Sequence, residues 1–183
     1  MPWPGIITEA FHLALRGGRI DKSRFYGPYN LLLNHLFPMD ERYMVVPLCK
    51  RREQSLSIDF KPISIVNHHD HPVFFVEVEP SGHVDHILSR RSADKQMRER
   101  LLDLADRGKV PILYGMSALG PKVCLYTCDK ETKSLSPIVI KDDQDLMSDT
   151  APADYWSLDI MTPDGEKELR QVVNHVKAMC AQL

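Results

Sequence analysis

The stretch Val73-Phe74-Phe75-Val76-Glu77-Val78-Glu79-Pro80 decides the fold prediction, because two carboxylates stand two residues apart in an apolar run. A β-strand sends alternate side chains to opposite faces, so Glu77 and Glu79 project together. The intervening residues Val76 and Val78 project the other way, into a core. Partly burying two acids costs free energy unless they have partners. The stretch therefore predicts a strand with one core-facing side and one side that carries chemistry.

A second strand is predicted upstream, where apolar residues alternate with polar ones from Ser55 to Phe60. With a turn near His69, antiparallel pairing puts Asp59 opposite Glu79, or opposite Glu77 if the register shifts by two. Directly opposite residues share a face, with Cβ atoms roughly 4.5–5.5 Å apart. The sequence thus predicts three carboxylates at one end of a hairpin.

Three neighbouring carboxylates repel one another unless a cation lies between them or one is protonated. A hard divalent ion with oxygen ligands, Mg²⁺ or Mn²⁺, is the natural occupant. The alternative is a solvated surface on which Lys61 and nearby arginines pair with the acids. The spacing alone leaves both interpretations open.

The rest of the chain supplies helices and further strands around this hairpin. Helices are predicted at 6–15, 29–37 and 93–106 and after Thr162, and further strands at 43–49, 111–118, 123–128 and 155–160. Ser92 is the predicted cap of the third helix, and the residues 81–91 before it are predicted to form a loop. This order indicates an α/β (α+β) protein with a central mixed sheet flanked by helices. We expect one domain over 1–183, with N-terminal helices at 1–40, a core at 41–128 and a C-terminal extension and packing helix at 129–183.

Composition limits the function only loosely. The 183 residues carry a formal net charge of −2, so the chain as a whole is not expected to bind polyanions without specificity, although a local basic patch is compatible with that total. Neither a signal peptide nor a membrane-spanning run is expected. The four cysteines are predicted to be reduced and mostly buried, which favours the cytoplasm or the nucleus.

Asp59 followed by Glu77-x-Glu79 on the next strand, within the order αβββαβ, resembles the PD-(D/E)XK restriction-endonuclease-like superfamily. Several runs also resemble uncharacterised fungal proteins of this type, and the likeness covers roughly residues 24–179. These runs are Tyr26-Gly27-Pro28-Tyr29-Asn30, Phe74-Phe75-Val76-Glu77-Val78-Glu79-Pro80, Ala93-Asp94-Lys95-Gln96-Met97-Arg98 and Tyr114-Gly115-Met116-Ser117-Ala118-Leu119-Gly120.

The resemblance implies a metal-dependent phosphodiesterase, a nuclease that acts on DNA or RNA, with a homodimer as one expected form. Asp59 and Glu77 would hold Mg²⁺ or Mn²⁺, and Glu79 would be a further ligand or a general base. Gln96 resembles a helix residue that points at the site in many members, and Glu9 could add an outer acid. The arginines expected to face nucleic-acid phosphates are Arg90, Arg91, Arg98 and Arg100.

The chain departs from the pattern at Glu79, which stands where the family has a lysine. A lysine placed elsewhere, Lys61 or Lys95, or a second metal would have to supply the missing charge. The alternative function is therefore a catalytically inactive module of the same fold that binds a protein or a nucleic acid.

Two other kinds of site have weaker support. A zinc site could combine His69 and His71 with His83 or His86, but residues 68–71 lie at a predicted hairpin tip, where side chains diverge. Gly115-x-Ser117 lacks the closing glycine of a nucleophile elbow, because Leu119 occupies that position.

Overall fold

The computed structural model describes residues 3–50, 61–140 and 149–183. Four α-helices are present in these ranges: α1 (Gly5–Arg16), α2 (Tyr26–Leu36), α3 (Ile87–Arg107) and α4 (Pro163–Cys180). The strands in the same ranges are β1 (Tyr43–Lys50), β2 (Lys61–His68), β3 (His71–Glu79), β4 (Ile112–Leu119), β5 (Lys122–Asp129), β6 (Leu135–Ser136) and β7 (Leu158–Asp159).

The strands form one mixed sheet in the order β1-β2-β3-β4-β5-β6, with β7 paired to β5. Strands β3 and β4 are parallel and are connected through α3, whereas the other pairs are antiparallel. A parallel pair needs a long crossover, and α3 provides it. The predicted class is confirmed: the sheet is mixed, helices flank it, and α2 to β4 follow the order αβββαβ.

The hairpin of β2 and β3 is closed by a two-residue turn. His69 and Asp70 have φ values of 47° and 64°, the left-handed conformation that a tight hairpin turn requires. The register shifts between Val66 and Asn67, next to Pro72, whose ring nitrogen has no hydrogen to donate to the ladder. The turn is thus much shorter than the polar turn predicted for residues 67–72.

The helices lie in two layers on opposite faces of the sheet. One apolar cluster joins α1, α2 and α4 to the side chains of Phe74, Val76 and Val78. A second cluster joins α3 to Phe75 and to the 3₁₀ turn that contains Trp156. The predicted alternation of side chains is confirmed from Phe74 onward, because Phe75 belongs to the α3 layer and Phe74, Val76 and Val78 belong to the other. Val73, near the start of the strand, also packs in the first cluster.

Two helix boundaries differ from the predictions. Helix α2 begins at Tyr26, before Pro28, because proline is tolerated in a first helical turn. Helix α3 begins at Ile87, so the predicted loop over 81–91 and the predicted cap at Ser92 are wrong. This extra turn of α3 carries Arg90, which donates hydrogen bonds to the carbonyls of Val84 and Ala151. These bonds hold the turn in place, although its sequence has no apolar stripe that would predict a helix.

Of the strand predicted at 155–160 only Leu158–Asp159 forms a strand, whereas the helix predicted after Thr162 is confirmed. Thr162 caps α4 by accepting a hydrogen bond from the Gly165 amide, and Pro163 occupies the first helical position. In the described part of the chain, no helix combines the length and the apolar character needed to cross a membrane.

Candidate functional site

Glu77 and Glu79 lie on the α3 face of the sheet, near the C-terminal end of β3. Their side chains are only 10% and 13% exposed. Because β4 runs parallel to β3, Ser117 lies beside Glu77 and Leu119 beside Glu79. The acid pair therefore stands at the edge where two parallel strands end, which is a usual place for ligands in sheets of this kind.

Each acid has a basic neighbour from a different part of the chain. Arg100 of α3 places Nε 3.3 Å from Glu77 Oε1. Lys22, from the 3₁₀ turn between α1 and α2, places Nζ 3.5 Å from Glu79 Oε2, and His83 Nδ1 is 3.9 Å from the same oxygen. The guanidinium of Arg100 and the ammonium of Lys22 offset part of the cost of holding two carboxylates close together in a mostly buried place.

A groove runs along α3 beside the acids. One cavity of about 270 Å³ is lined by Glu79, His83, Ser92 and Gln96, among others. A second cavity of about 250 Å³ is lined by Gln96, Glu99, Arg100 and Asp103. Gln96 belongs to both cavities and donates a hydrogen bond to Ser92 Oγ at 2.8 Å. Gln96 thus lines the same cavity as Glu79, and its role at the site stays a prediction.

Ser117, the neighbour of Glu77 on β4, forms a hydrogen bond with Trp156. Ser117 is 1% exposed, and its Oγ accepts a hydrogen bond from Trp156 Nε1 at 3.1 Å. A buried hydroxyl and indole need such a partner. This bond fixes the 3₁₀ turn of Trp156 against β4, so Ser117 has a structural role and not that of an exposed nucleophile.

The observed register corrects the predicted meeting of acids. Glu77 pairs with Ile63 on β2, so the register that puts Asp59 opposite Glu77 is wrong. Asp59 itself lies outside the described residues, and its pairing with Glu79 stays a prediction. Lys61 is the first residue of β2.

Two of the four arginines predicted to face phosphates lie inside the protein. Arg90 is 5% exposed, donates to Ala151 O at 2.9 Å and Val84 O at 2.7 Å, and pairs with Asp149. The interior position explains why the prediction is wrong for Arg90: its guanidinium satisfies carbonyls that would otherwise be unpaired.

Arg98 is likewise buried. Its Nε is 2.7 Å from Asp94 Oδ2, its Nη1 donates to Pro137 O at 2.8 Å, and it lies over the Tyr126 ring. The predicted phosphate contact is wrong for Arg98 as well. Arg100 turns to Glu77, and Arg91 is half-buried.

Lys95 and Glu9 do not join the acid pair. Lys95 has a side chain 77% exposed and approaches Glu99 on its own helix at 3.9 Å. Glu9 is exposed on α1, in the layer across the sheet, where it lines a separate cavity of about 180 Å³. The predicted outer acid is therefore wrong.

Cysteines and histidines offer no second centre in the described ranges. Cys124, Cys128 and Cys180 are free and buried, as predicted. Burial raises the pKa of the Cys124 thiol to about 12, so this thiol stays protonated and unreactive near neutral pH. Within residues 3–50, 61–140 and 149–183, no three His, Cys, Asp or Glu side chains are grouped closely enough to hold a metal ion.

The described acids nevertheless fit a hard divalent cation by donor chemistry. Both offer carboxylate oxygens, the ligands that Mg²⁺ and Mn²⁺ prefer, and both belong to the same face of one strand. A complete ligand set would need a third oxygen donor, for which Asp59 is the sequence candidate.

Lys22 is the site residue that sequence reasoning missed. It precedes Glu79 by 57 positions and belongs to a short 3₁₀ turn with no apolar periodicity. The nearest signal is Asp21, which accepts a hydrogen bond from the Ser23 amide at 2.9 Å and so marks the start of that turn. Nothing in the sequence connects this turn with β3.

Comparisons of the chain with protein-family models, with curated proteins and with solved structures found no match.

Proposed function

We propose that the protein is a metal-dependent phosphodiesterase of the restriction-endonuclease-like type, acting on DNA or RNA. The observation that carries the proposal is the placement of Glu77 and Glu79 together on the α3 face of β3, where both are mostly buried and Glu79 lines a groove. Two carboxylates kept in such a place need a use that repays their desolvation. The order αβββαβ supports the same proposal.

Glu77, with Asp59 as the ligand predicted from the sequence, would hold the cation, and Glu79 would complete the set or act as a base. When bound, Mg²⁺ or Mn²⁺ supplies an activated water and positive charge at the scissile phosphate. Glu79 accepts a proton from the water while the water oxygen forms its bond to phosphorus. The bond from phosphorus to the leaving oxygen breaks, and that oxygen takes a proton from solvent.

Cleavage of plasmid and single-stranded substrates in Mg²⁺ or Mn²⁺ tests the proposal. Glu77→Gln keeps the size of the side chain and should lower the rate by about 100-fold or more, which corresponds to roughly 3 kcal/mol. Glu168→Gln is the matched control, since Glu168 is exposed on α4 in the opposite layer. A parent that cuts nothing, or a Glu77→Gln variant as fast as the parent, would refute the proposal.

A second function, an inactive binding module of the same fold, is favoured by a different observation. Arg100 and Lys22 already neutralise the two acids, and Glu99 and Asp103 add negative charge to the groove. An acidic groove opposes a polyanion. Calorimetric titration with Mn²⁺ separates the two functions, because a module without catalysis has no need of the ion.

For the setting we propose the cytoplasm or the nucleus, with a homodimer as the form to test on duplex substrates. The buried free thiols support the reducing compartment. Sedimentation of the protein with and without duplex tests the dimer: a mass of about twice 21.0 kDa is expected.

A further inference from the structure

We propose that Lys22 provides the positive charge that this acid site lacks on β3 itself, and that it contacts the scissile phosphate. The inference rests on the proposed phosphodiesterase function and goes beyond it by assigning a residue from outside the hairpin. Lys22 Nζ lies 3.5 Å from Glu79 Oε2, and its side chain is 24% exposed. The Lys22 side chain is therefore mostly sheltered beside Glu79 and still partly accessible to solvent.

The chain around Lys22 is tied to the segment that follows β3. The Gly82 amide donates to Arg19 O at 2.9 Å, and Arg19 Nη2 pairs with Asp85 at 2.7 Å. Both partners belong to the 3₁₀ turn Ser81–Asp85, which directly follows the strand end that carries Glu79. A backbone hydrogen bond and an ion pair thus both hold the segment before Lys22 against the segment that follows Glu79.

A second tie comes from the β4–β5 turn. Gly120, with φ +66°, donates to Glu79 O at 3.3 Å, and a Cβ built on it would lie 2.5 Å from Ser81 Cβ. The same Cβ would be 3.3 Å from the ring of Phe25, which is fully buried at the end of the Lys22 turn. Only glycine permits this close approach, so three segments are packed tightly around Glu79.

A positive charge at Lys22 would balance negative charge on a bound phosphate. A phosphate entering beside two carboxylates adds negative charge, and the charge on its oxygens must be balanced as the phosphorus is attacked. Arg100 is turned to Glu77, and Lys95 points away along α3. Of the basic side chains in the described residues that approach Glu79, Lys22 lies nearest, at 3.5 Å against 3.9 Å for His83.

Three variants test the assignment in the full chain. Lys22→Met keeps the length and removes the charge, Lys22→Arg keeps the charge, and Lys167→Met is the matched control on an exposed face of α4. We expect Lys22→Met to lower kcat by about 100-fold, the loss typical of one preorganised charge donor, while KM changes little. Lys22→Arg should recover most of the rate, and Lys167→Met should equal the parent.

Mn²⁺ affinity distinguishes a charge that acts on the phosphate from a residue that only maintains the structure of the site. Lys22→Met should bind Mn²⁺ at least as tightly as the parent, since a competing cation beside Glu79 is gone, whereas Glu77→Gln should bind it more weakly. If Lys22→Met unfolds, Lys22→Gln replaces it in the same measurements.

The outcomes keep the two proposals apart. Cleavage by Lys22→Met within twofold of the parent, with Glu77→Gln inactive, overturns the role of Lys22 and leaves the phosphodiesterase intact. An inactive Lys22→Arg that folds also overturns it. A parent that does not cleave refutes the proposed function, and the role of Lys22 falls with it.

Discussion

On one face of β3, Phe74, Val76 and Val78 pack against α1, α2 and α4; on the other, Phe75 is followed by Glu77 and Glu79 beneath α3. Both faces are largely closed to solvent, yet only the second holds charge. The first face is stabilised by apolar burial, which needs no particular partner geometry. The second depends on ion pairs drawn from distant segments. One strand thus serves stability and chemistry at alternate positions.

The largest effect on stability is expected from Phe74→Ala. Phe74 is fully buried and packs against Phe37, with ring centroids 5.5 Å apart. Its loss should lower the free energy of unfolding by about 3–5 kcal/mol, measured by urea denaturation. Phe74→Leu, which refills most of the space, should cost clearly less, and Glu77→Gln only about 1 kcal/mol. If Phe74→Ala and Glu77→Gln lower the free energy of unfolding equally, the two faces of β3 do not differ in their contribution to stability.

A smaller loss is expected from Arg90→Met, which tests whether the α3 layer is also held by fixed polar contacts. Removing the guanidinium leaves the carbonyls of Val84 and Ala151 and the carboxylate of Asp149 without their partner. We expect a decrease of about 2 kcal/mol in the free energy of unfolding. Binding of a labelled oligonucleotide by the folded variant should be unchanged. If Arg90→Met keeps the parental stability and binds the oligonucleotide more weakly, Arg90 contacts phosphate after all.

The smallest effect should come from His68 at the hairpin end, where its ring lies against Tyr43. Burial lowers the pKa of His68, and the charges of His69 and Arg42 lower it further. The unfolded chain therefore takes up the proton first as pH falls through about 6.5, and the contribution of neutral His68 to stability is lost below that pH. The parent should lose more stability than His68→Gln between pH 7.5 and pH 5. Parallel losses in the two proteins would contradict this.

The sequence predicted the first face of β3 better than the second for a physical reason. Alternation of Phe74, Val76 and Val78 is a local pattern, and it identifies a strand and its core side without knowledge of the rest of the chain. The partners of Glu77 and Glu79 come from α3 and from the turn before α2, and such contacts leave no periodic signal.

The arginines of α3 show the same limit. Arg90 and Arg98 look like surface charges in the sequence, but the structure encloses both with carbonyls and carboxylates. Whether an arginine serves a phosphate or the interior depends on residues such as Asp149, 59 positions away. The register of the hairpin was missed because the turn is centred between His69 and Asp70, and because the register shifts again between Val66 and Asn67, an irregularity that the alternating pattern does not reveal.

The proposed phosphodiesterase requires that the acid face of β3 binds a divalent cation. Calorimetric titration of the parent and of Glu77→Gln with Mn²⁺, at neutral pH and constant ionic strength, tests it most directly. We expect saturable binding by the parent and an affinity lower by about tenfold or more in Glu77→Gln, with Glu168→Gln equal to the parent. A parent that binds no Mn²⁺, or a Glu77→Gln variant that binds it as tightly as the parent, would contradict the claim.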